Sequence, residues 1–325
     1  MAEPRIASRL LSSAEALAWW RSAPLATPFM HPGVLATMVR RVEWCAYSVD
    51  EQDCCLWPRL QRLDGAHEAP EFSYFVGPLW SAATLALSPR SRLLQQAAVM
   101  RAACAQALAE VGGFSFETAP GDHDLRGVLA WAREVGLEAA LRVRPQYTAR
   151  LQLAPAASED TLAAGMARSR RRARHRWLAG ERLQARPARL DEVLDLYRQL
   201  AQRQGRAELY ARREAELVAL TEVVQAGHGL ALAWSDGADR AQVLRLALLT
   251  EGQSADVLAL ATDGARQAQA LPAVMPEFLA ALAARGSRCH DFNGANSLSR
   301  ASDVHSYGAE VALYFAVDCW PGAQA

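Results

Sequence analysis

Residues 288–315 read RCHDFNGANSLSRASDVHSYGAEVALYF, and they concentrate the side chains that could do chemistry. Asp291 stands where an apolar-flanked step enters a glycine turn, and Asn293 and Asn296 follow it. A strand that ends in Asp291 and turns at Gly294 puts polar side chains at the carboxyl edge of a sheet, where open α/β folds build sites. There the carboxylate could hold an attacking amine or accept its proton. Asn293 and Asn296 could donate to a carbonyl or a hydroxyl. The same residue types also satisfy backbone groups in tight turns, and the two roles are compatible. His305 and Tyr307 lie within reach of this loop. An imidazole suits general-base work near neutrality, and a phenol could protonate a leaving group. Their plainer roles are a surface histidine and an aromatic at the core edge.

Two further clusters stand out. The run ARSRRRARHR, 167–176, includes Arg170, Arg171 and Arg174, with Leu162, Met166, Ala173 and Trp177 on one helical face. Guanidinium forks on the remaining faces suit phosphates; the plain alternative is a solvated helix face. In the first half, TAPGDHDLRG occupies the place that FNGANSLSRA has in the second, and Asp122, His123, Asp124 and Arg126 make it polar. Asp124 and Arg126, with Tyr147, could line a pocket for an acceptor between two domains, or the aspartates could cap a helix. Asp-His-Asp at this spacing is not a metal signature, and no metal site is expected.

Composition bounds the setting. The 325 residues suffice for two domains, and a hydrophobic half with zero formal net charge predicts folded cores rather than disorder. Neutrality argues against a general nucleic-acid or membrane-surface binder. The sequence has no apolar run of about 18 residues and no basic-then-apolar leader, so a cytoplasmic location is expected. There is no lysine, which excludes Schiff-base and pyridoxal-phosphate chemistry. The six cysteines form no C-x-x-C pair, and are read as reduced, mostly buried small hydrophobes.

Elements must position these groups. The chain opens with helical signals at SSAEALAWWRSA and PFMHPGVLATMVRR. Strand-like runs VEWCAYSVD, DCCLWPRLQRL and EFSYFVGPLW follow, then a long helix from Ser88-Pro89 to Gly112-Gly113. FSFETAP reads as a strand, DHDLRGVLAWAREVG as a helix and YTARLQLA as a strand. The second half repeats the order. SEDTLAAGMARSRRRARHRWLAG reads as one helix opened by Ser158; two helices, three strands and the helix ALPAVMPEFLAALAARG follow, before RCHDFNGA and a closing strand. Each half has Gly-x-Glu before its last hydrophobic segment, at Gly136 and Gly308. The reading is a mixed α/β fold built from two duplicated domains, 1–150 and 151–325.

TPFMHPGVLATMV, SYFVGPLW, MARSRRRARHRW and HDFNGANS…HSYGAEVALYF, in that order, resemble a double-domain member of the GNAT acyltransferase superfamily, similar to the Fem-type aminoacyltransferases of peptidoglycan bridge formation. The resemblance implies two GNAT-like domains, each a mixed, partly antiparallel sheet flanked by helices. It also implies acyl or aminoacyl transfer to an amine, with acyl-CoA or aminoacyl-tRNA as donor and a small molecule or cell-envelope precursor as acceptor. Direct attack in a ternary complex is expected, because no residue reads as an activated covalent nucleophile. The donor's phosphates would be held by the turn at Gly264, Arg266 and Gln267 or by Arg170, Arg171 and Arg174. That turn, ATDGARQAQALPAV, departs from the Gln/Arg-x-x-Gly-x-Gly/Ala of CoA-dependent members and carries Asp263. The alternative is a degenerate pair that binds an anionic ligand or partner without catalysis.

Overall fold

In the computed structural model, residues 5–180 and 183–322 are described. The chain divides into two compact units. One holds the residues up to Gln146 and from Leu313 onward, the other Tyr147–Ala312. The first cut lies near the expected boundary at 150, whereas the chain from Leu313 onward belongs with the first unit.

In the first unit β1 (Ile6–Leu11), α1 (Ser13–Ser22) and α2 (Pro32–Met38) precede β2 (Arg41–Val49) and β3 (Gln52–Gln61). Then come β4 (Leu79–Trp80), α3 (Ala82–Ala86), α4 (Pro89–Val111), β5 (Phe114–Glu117), α5 (Arg126–Glu134) and β6 (Leu141–Gln152). Local chemistry explains the ends. Ser12 and Glu15 close a capping box on α1. Ser88 caps α4, which starts at Pro89 and stops where Gly112 turns left-handed. Asp50 and Glu51 both have positive φ and make the two-residue turn between β2 and β3.

One expectation fails here, and one strand had no reading: residues 6–11 form β1 antiparallel to β2. EFSYFVGPLW is a strand only at Leu79–Trp80. Phe75 sits at φ 56° and gives its N–H to the Glu117 carboxylate, not to a ladder, so the segment before β4 is loop.

The second unit runs through α6 (Glu159–Gly165), α7 (Arg168–Ala179), β7 (Gln184–Pro187), α8 (Leu190–Arg203), α9 (Ala207–Ala211) and α10 (Glu214–Val223). It continues with β8 (Gly229–Ser235), β9 (Ala241–Thr250), β10 (Gln253–Ala261), α11 (Asp263–Gln267), α12 (Ala270–Ala273), α13 (Met275–Ala284), β11 (Cys289–Asp291) and α14 (Leu298–His305), and β12 (Glu310–Cys319) closes the chain. Strands β7 to β10 form an antiparallel meander. β11 adds parallel to β10 and antiparallel to the end of β6. The expected single helix from Ser158 is two, because Met166 is buried with extended backbone and ends the first at Gly165. ALPAVMPEFLAALAARG likewise divides, into α12 and α13, and α14 was not foreseen.

Each unit has its own core. Trp57, Phe114, Phe116 and Trp131 pack in the first, and Trp234, Phe278, Leu279 and Phe292 in the second. Truncating a ring as buried as Phe278 costs about 3–5 kcal/mol. Among the described residues no helix is long and apolar enough to cross a membrane.

Candidate functional site

The end of β11 gathers polar groups on both faces of the second unit's sheet. The parallel register sets Ser254 beside His290 and Ala255 beside Asp291, and the antiparallel one sets Arg150 opposite Asp291. Alternation along a strand then sends His290 and Asp291 to opposite faces.

On one face lies a buried ion pair. Arg245 of β9 meets Asp256 of β10 at 3.0 Å, and both side chains are about 5% exposed or less. A register shift between Asp256 and Leu258 bends β10 at this point. His290 is fully buried, with Nδ1 2.9 Å from Ser254 Oγ and Nε2 4.0 Å from Asp256 Oδ1. Burial, opposed by the Asp256 charge, holds its pKa down to about 4, so the ring is neutral at pH 7.

On the other face Asp291 Oδ1 accepts the Thr148 hydroxyl and, at 2.9 Å, the Asn293 N–H. Arg150 Nε stands 3.5 Å from Oδ2. Desolvation pushes the carboxyl up to about 6 despite these partners. Asn293 adopts φ 48° and donates its side-chain amide to the Asp256 carbonyl. Asp291 Oδ2 and Asn293 Oδ1 are left as buried acceptors without a hydrogen-bond partner, as is Asp256 Oδ1, and His290 Nε2, a donor or an acceptor according to the tautomer, also has none. Buried polar atoms are normally paired, so the two acceptors on the Asp291 face, Asp291 Oδ2 and Asn293 Oδ1, mark a place where a donor-bearing ligand gains most.

The other expected residues are placed as follows. Asn296 is exposed and its Oδ1 accepts the Tyr147 N–H at 2.6 Å, which joins two residues assigned to different tasks. His305 is exposed, with Nδ1 3.1 Å from the Ala309 carbonyl. Tyr307 is buried, stacked on Phe292 at 5.5 Å and beneath the Arg170 guanidinium at 5.2 Å. Arg170 also bonds Ser306 and Asp303. Arg171 caps the Ala164 and Met166 carbonyls, and Arg174 pairs with Glu159 and Asp160. These three are engaged within the fold. Gly264, Arg266 and Gln267 belong to α11; Arg266 and Gln267 line an open concavity with Asp263, Gln269, Leu271 and Pro272, and Gly264 does not. Thr262 takes the Ala265 N–H at that turn, and Asp263 pairs with Arg203 and Arg266. Asp124 and Arg126 belong to the first unit. They form a fork at 2.9 and 2.7 Å, which holds the Asp124 carboxyl below its ordinary range.

Thr148, Arg150, Arg245, Asp256 and His290 were not singled out from sequence. Their signal is present, since a lone charge inside an apolar strand such as ADVLALA or VLRLALL must find a buried partner.

No family profile and no curated protein matches the sequence. The structure does match solved ones over nearly the whole chain. FemX superposes with TM-score 0.63 at 11% identity, covering 95% of this chain and 96% of that one. A tandem GNAT protein from the clavulanic acid biosynthesis pathway gives 0.57 at 14%, covering 98% and 100%. A conserved protein of unknown function from Bacteroides thetaiotaomicron VPI-5482 gives 0.52 at 10%, covering 97% and 100%. The chain has a mixed α/β fold of duplicated GNAT-like domains, and that two-domain fold resembles the Fem-type proteins.

Proposed function

We propose that this protein is an acyltransferase that moves an acyl or aminoacyl group onto an amine, with the β11 end as its reacting centre. The observation that carries the reading is a pair of buried acceptors without a hydrogen bond two residues apart, Asp291 Oδ2, which has only the Arg150 ion pair at 3.5 Å, and Asn293 Oδ1. Two acceptors suit the N–H groups of an amine and leave its lone pair free to attack. Direct attack then forms the C–N bond as the donor's C–S or C–O bond breaks. Asp291 takes the amine's proton, and the departing thiol or hydroxyl is reprotonated from solvent. A carboxyl titrating near 6 is ionised at neutral pH and is a stronger base than an ordinary aspartate. Thr148 and Arg150 orient it.

The donor, an acyl-CoA or an aminoacyl-tRNA, would set its phosphates on the concavity lined by Arg266 and Gln267, beside Gly264. Arg170, Arg171 and Arg174 would serve only by exchanging their present partners. Asn296, bonded to Tyr147 of β6, and His305 and Tyr307 at the end of α14 would border the acceptor's path; Asp124 and Arg126, forked to each other in the first unit, are given no part in this centre. A small molecule or cell-envelope precursor fits this acceptor description. One observation favours the alternative, a non-catalytic binding module: the Gly264 turn is already capped by Thr262 and carries the Asp263 carboxylate.

A thermal-shift titration with CoA and acyl-CoAs, on the protein and on Arg266→Glu and Asp291→Asn, separates the two. Ligand at 100 times its dissociation constant adds about 2.7 kcal/mol. An enzyme keeps that shift in Asp291→Asn and loses turnover. A protein with no turnover on either donor, and the same affinity in both forms, would be the binder.

A further inference from the structure

The first unit holds a cleft that the transfer reading does not use. Its floor is one face of the β5–β12 pair, where Glu117 lies opposite Ala316 and Ser115 opposite Asp318. Its wall is the segment 62–73, and it encloses about 490 Å³. The arginines that line it are already matched. Arg144 meets Asp318 at 2.8 Å, and Arg62 lies 3.7 Å from Glu71 and 3.8 Å from Glu68. Glu117 has no ion pair among the described residues; Oε2 accepts the Phe75 N–H at 2.9 Å. Four carboxylates against two guanidiniums leave the cleft acidic, which disfavours an anion and favours a cation.

The cleft also has an apolar end. β4 pairs with β3 only at Cys55 and Leu56, so the second half of β3 has no strand beside it there. The gap toward β5 is a slot of about 50 Å³ backed by Trp57, Leu60, Ala103, Ala107 and Phe114 and edged by His67 and by Arg59, whose guanidinium is paired with Glu43 and Glu110. Glu68, Ala69, Val76 and Ser115 line both slot and cleft, so the two adjoin. Such a slot has room for a short aliphatic tail.

We propose that this cleft binds an aliphatic primary amine, its ammonium on the Glu117 carboxylate and its chain in the slot behind Ser115. The only new bonds are N–H···O contacts, and the proposal stands independently of the acyl-transfer reading. Burial raises the Glu117 pKa to about 7, so an arriving cation drives the remaining acid form to ionise. Its proton goes to the buffer, about half a proton per site at pH 7.

The test is calorimetry of the full chain with n-butylamine hydrochloride at pH 7, in two buffers of different ionisation enthalpy. Saturable binding with proton release is expected. It should be at least tenfold weaker in Glu117→Gln, which keeps an acceptor for the Phe75 N–H. Ser115→Leu obstructs the slot, and should weaken n-butylamine more than methylamine; this variant carries the test if Glu117→Gln does not fold. Absence of saturable binding, or equal affinity in a folded Glu117→Gln, overturns the proposal, as does an equal loss of both amines in Ser115→Leu.

Discussion

Glu117 ends β5 in the first unit and Asp291 ends β11 in the second, the same place in the repeated order of elements. Both carboxyls are raised by desolvation, to about 7 and about 6. Each accepts the N–H of a residue with left-handed backbone, Phe75 for one and Asn293 for the other. The surroundings then diverge. Asp291 has Thr148, Arg150 and the buried Arg245–Asp256 pair nearby and is almost fully buried, whereas Glu117 faces an open cleft whose cations are already taken. The repeat therefore fixes where a carboxyl stands, and its neighbours fix what it can do. Asp291 is held in one orientation with an acceptor beside it, which suits proton transfer to and from an amine. Glu117 has unmatched charge and space, which suits binding.

The largest difference should appear in turnover. Asp291→Asn is expected to lower kcat/KM by about 10²–10⁴, while Glu117→Gln should stay within about twofold of wild type. Steady-state rates of both variants check this, and a comparable loss in each would dissolve the distinction.

Stability should separate the two regions next. Asp256→Ala strands the buried Arg245 guanidinium and should cost about 3–5 kcal/mol. Asp318→Ala in the first unit breaks a pair whose arginine is 58% exposed, and should cost less than about 1 kcal/mol. Urea unfolding of the two variants gives both numbers.

The last effect is a pH dependence. Glu117 titrates at about 7 in the folded protein and near 4.5 unfolded. Between those values the native state holds more protons, so this group lowers stability as pH rises and the loss is complete above pH 7. Asp291 acts in the same direction between about 4 and 6. His290, lowered to about 4, acts oppositely over pH 4 to 6.5, because there the unfolded state binds the proton. Glu117→Gln should therefore gain on wild type from pH 4.5 to 7, by about 3 kcal/mol at most, and level off beyond. Denaturation midpoints across that range reveal it; a constant difference would mean that Glu117 titrates alike in the folded and unfolded chain.

Much of the scaffold was legible because its punctuation is chemical. Ser88-Pro89 and Gly112 bound α4, and the paired Gly136 and Gly308 have positive φ, as residues closing a helix need. The break at Met166 was not legible, since twelve residues of arginine-rich helix continue beyond it and only burial of the methionine fixes the kink. EFSYFVGPLW has strand composition, yet the Phe75 N–H goes to a carboxylate forty-two residues away, a contact no local pattern encodes. At the site, Asp291, Asn293 and Asn296 stood out because glycine and amide residues advertise a turn. Arg245, Asp256 and His290 did not, because single polar residues in apolar strands are informative only once the register pairs them.

The most direct measurement is product formation by mass spectrometry, offering acetyl-CoA or an aminoacyl-tRNA with a panel of primary amines at pH 5 to 8. The account predicts amine-dependent acylation that rises through pH 6 and is lost in Asp291→Asn. Acylation with the same rate and pH profile in Asp291→Asn, or none with either donor from a folded wild-type protein, would contradict it.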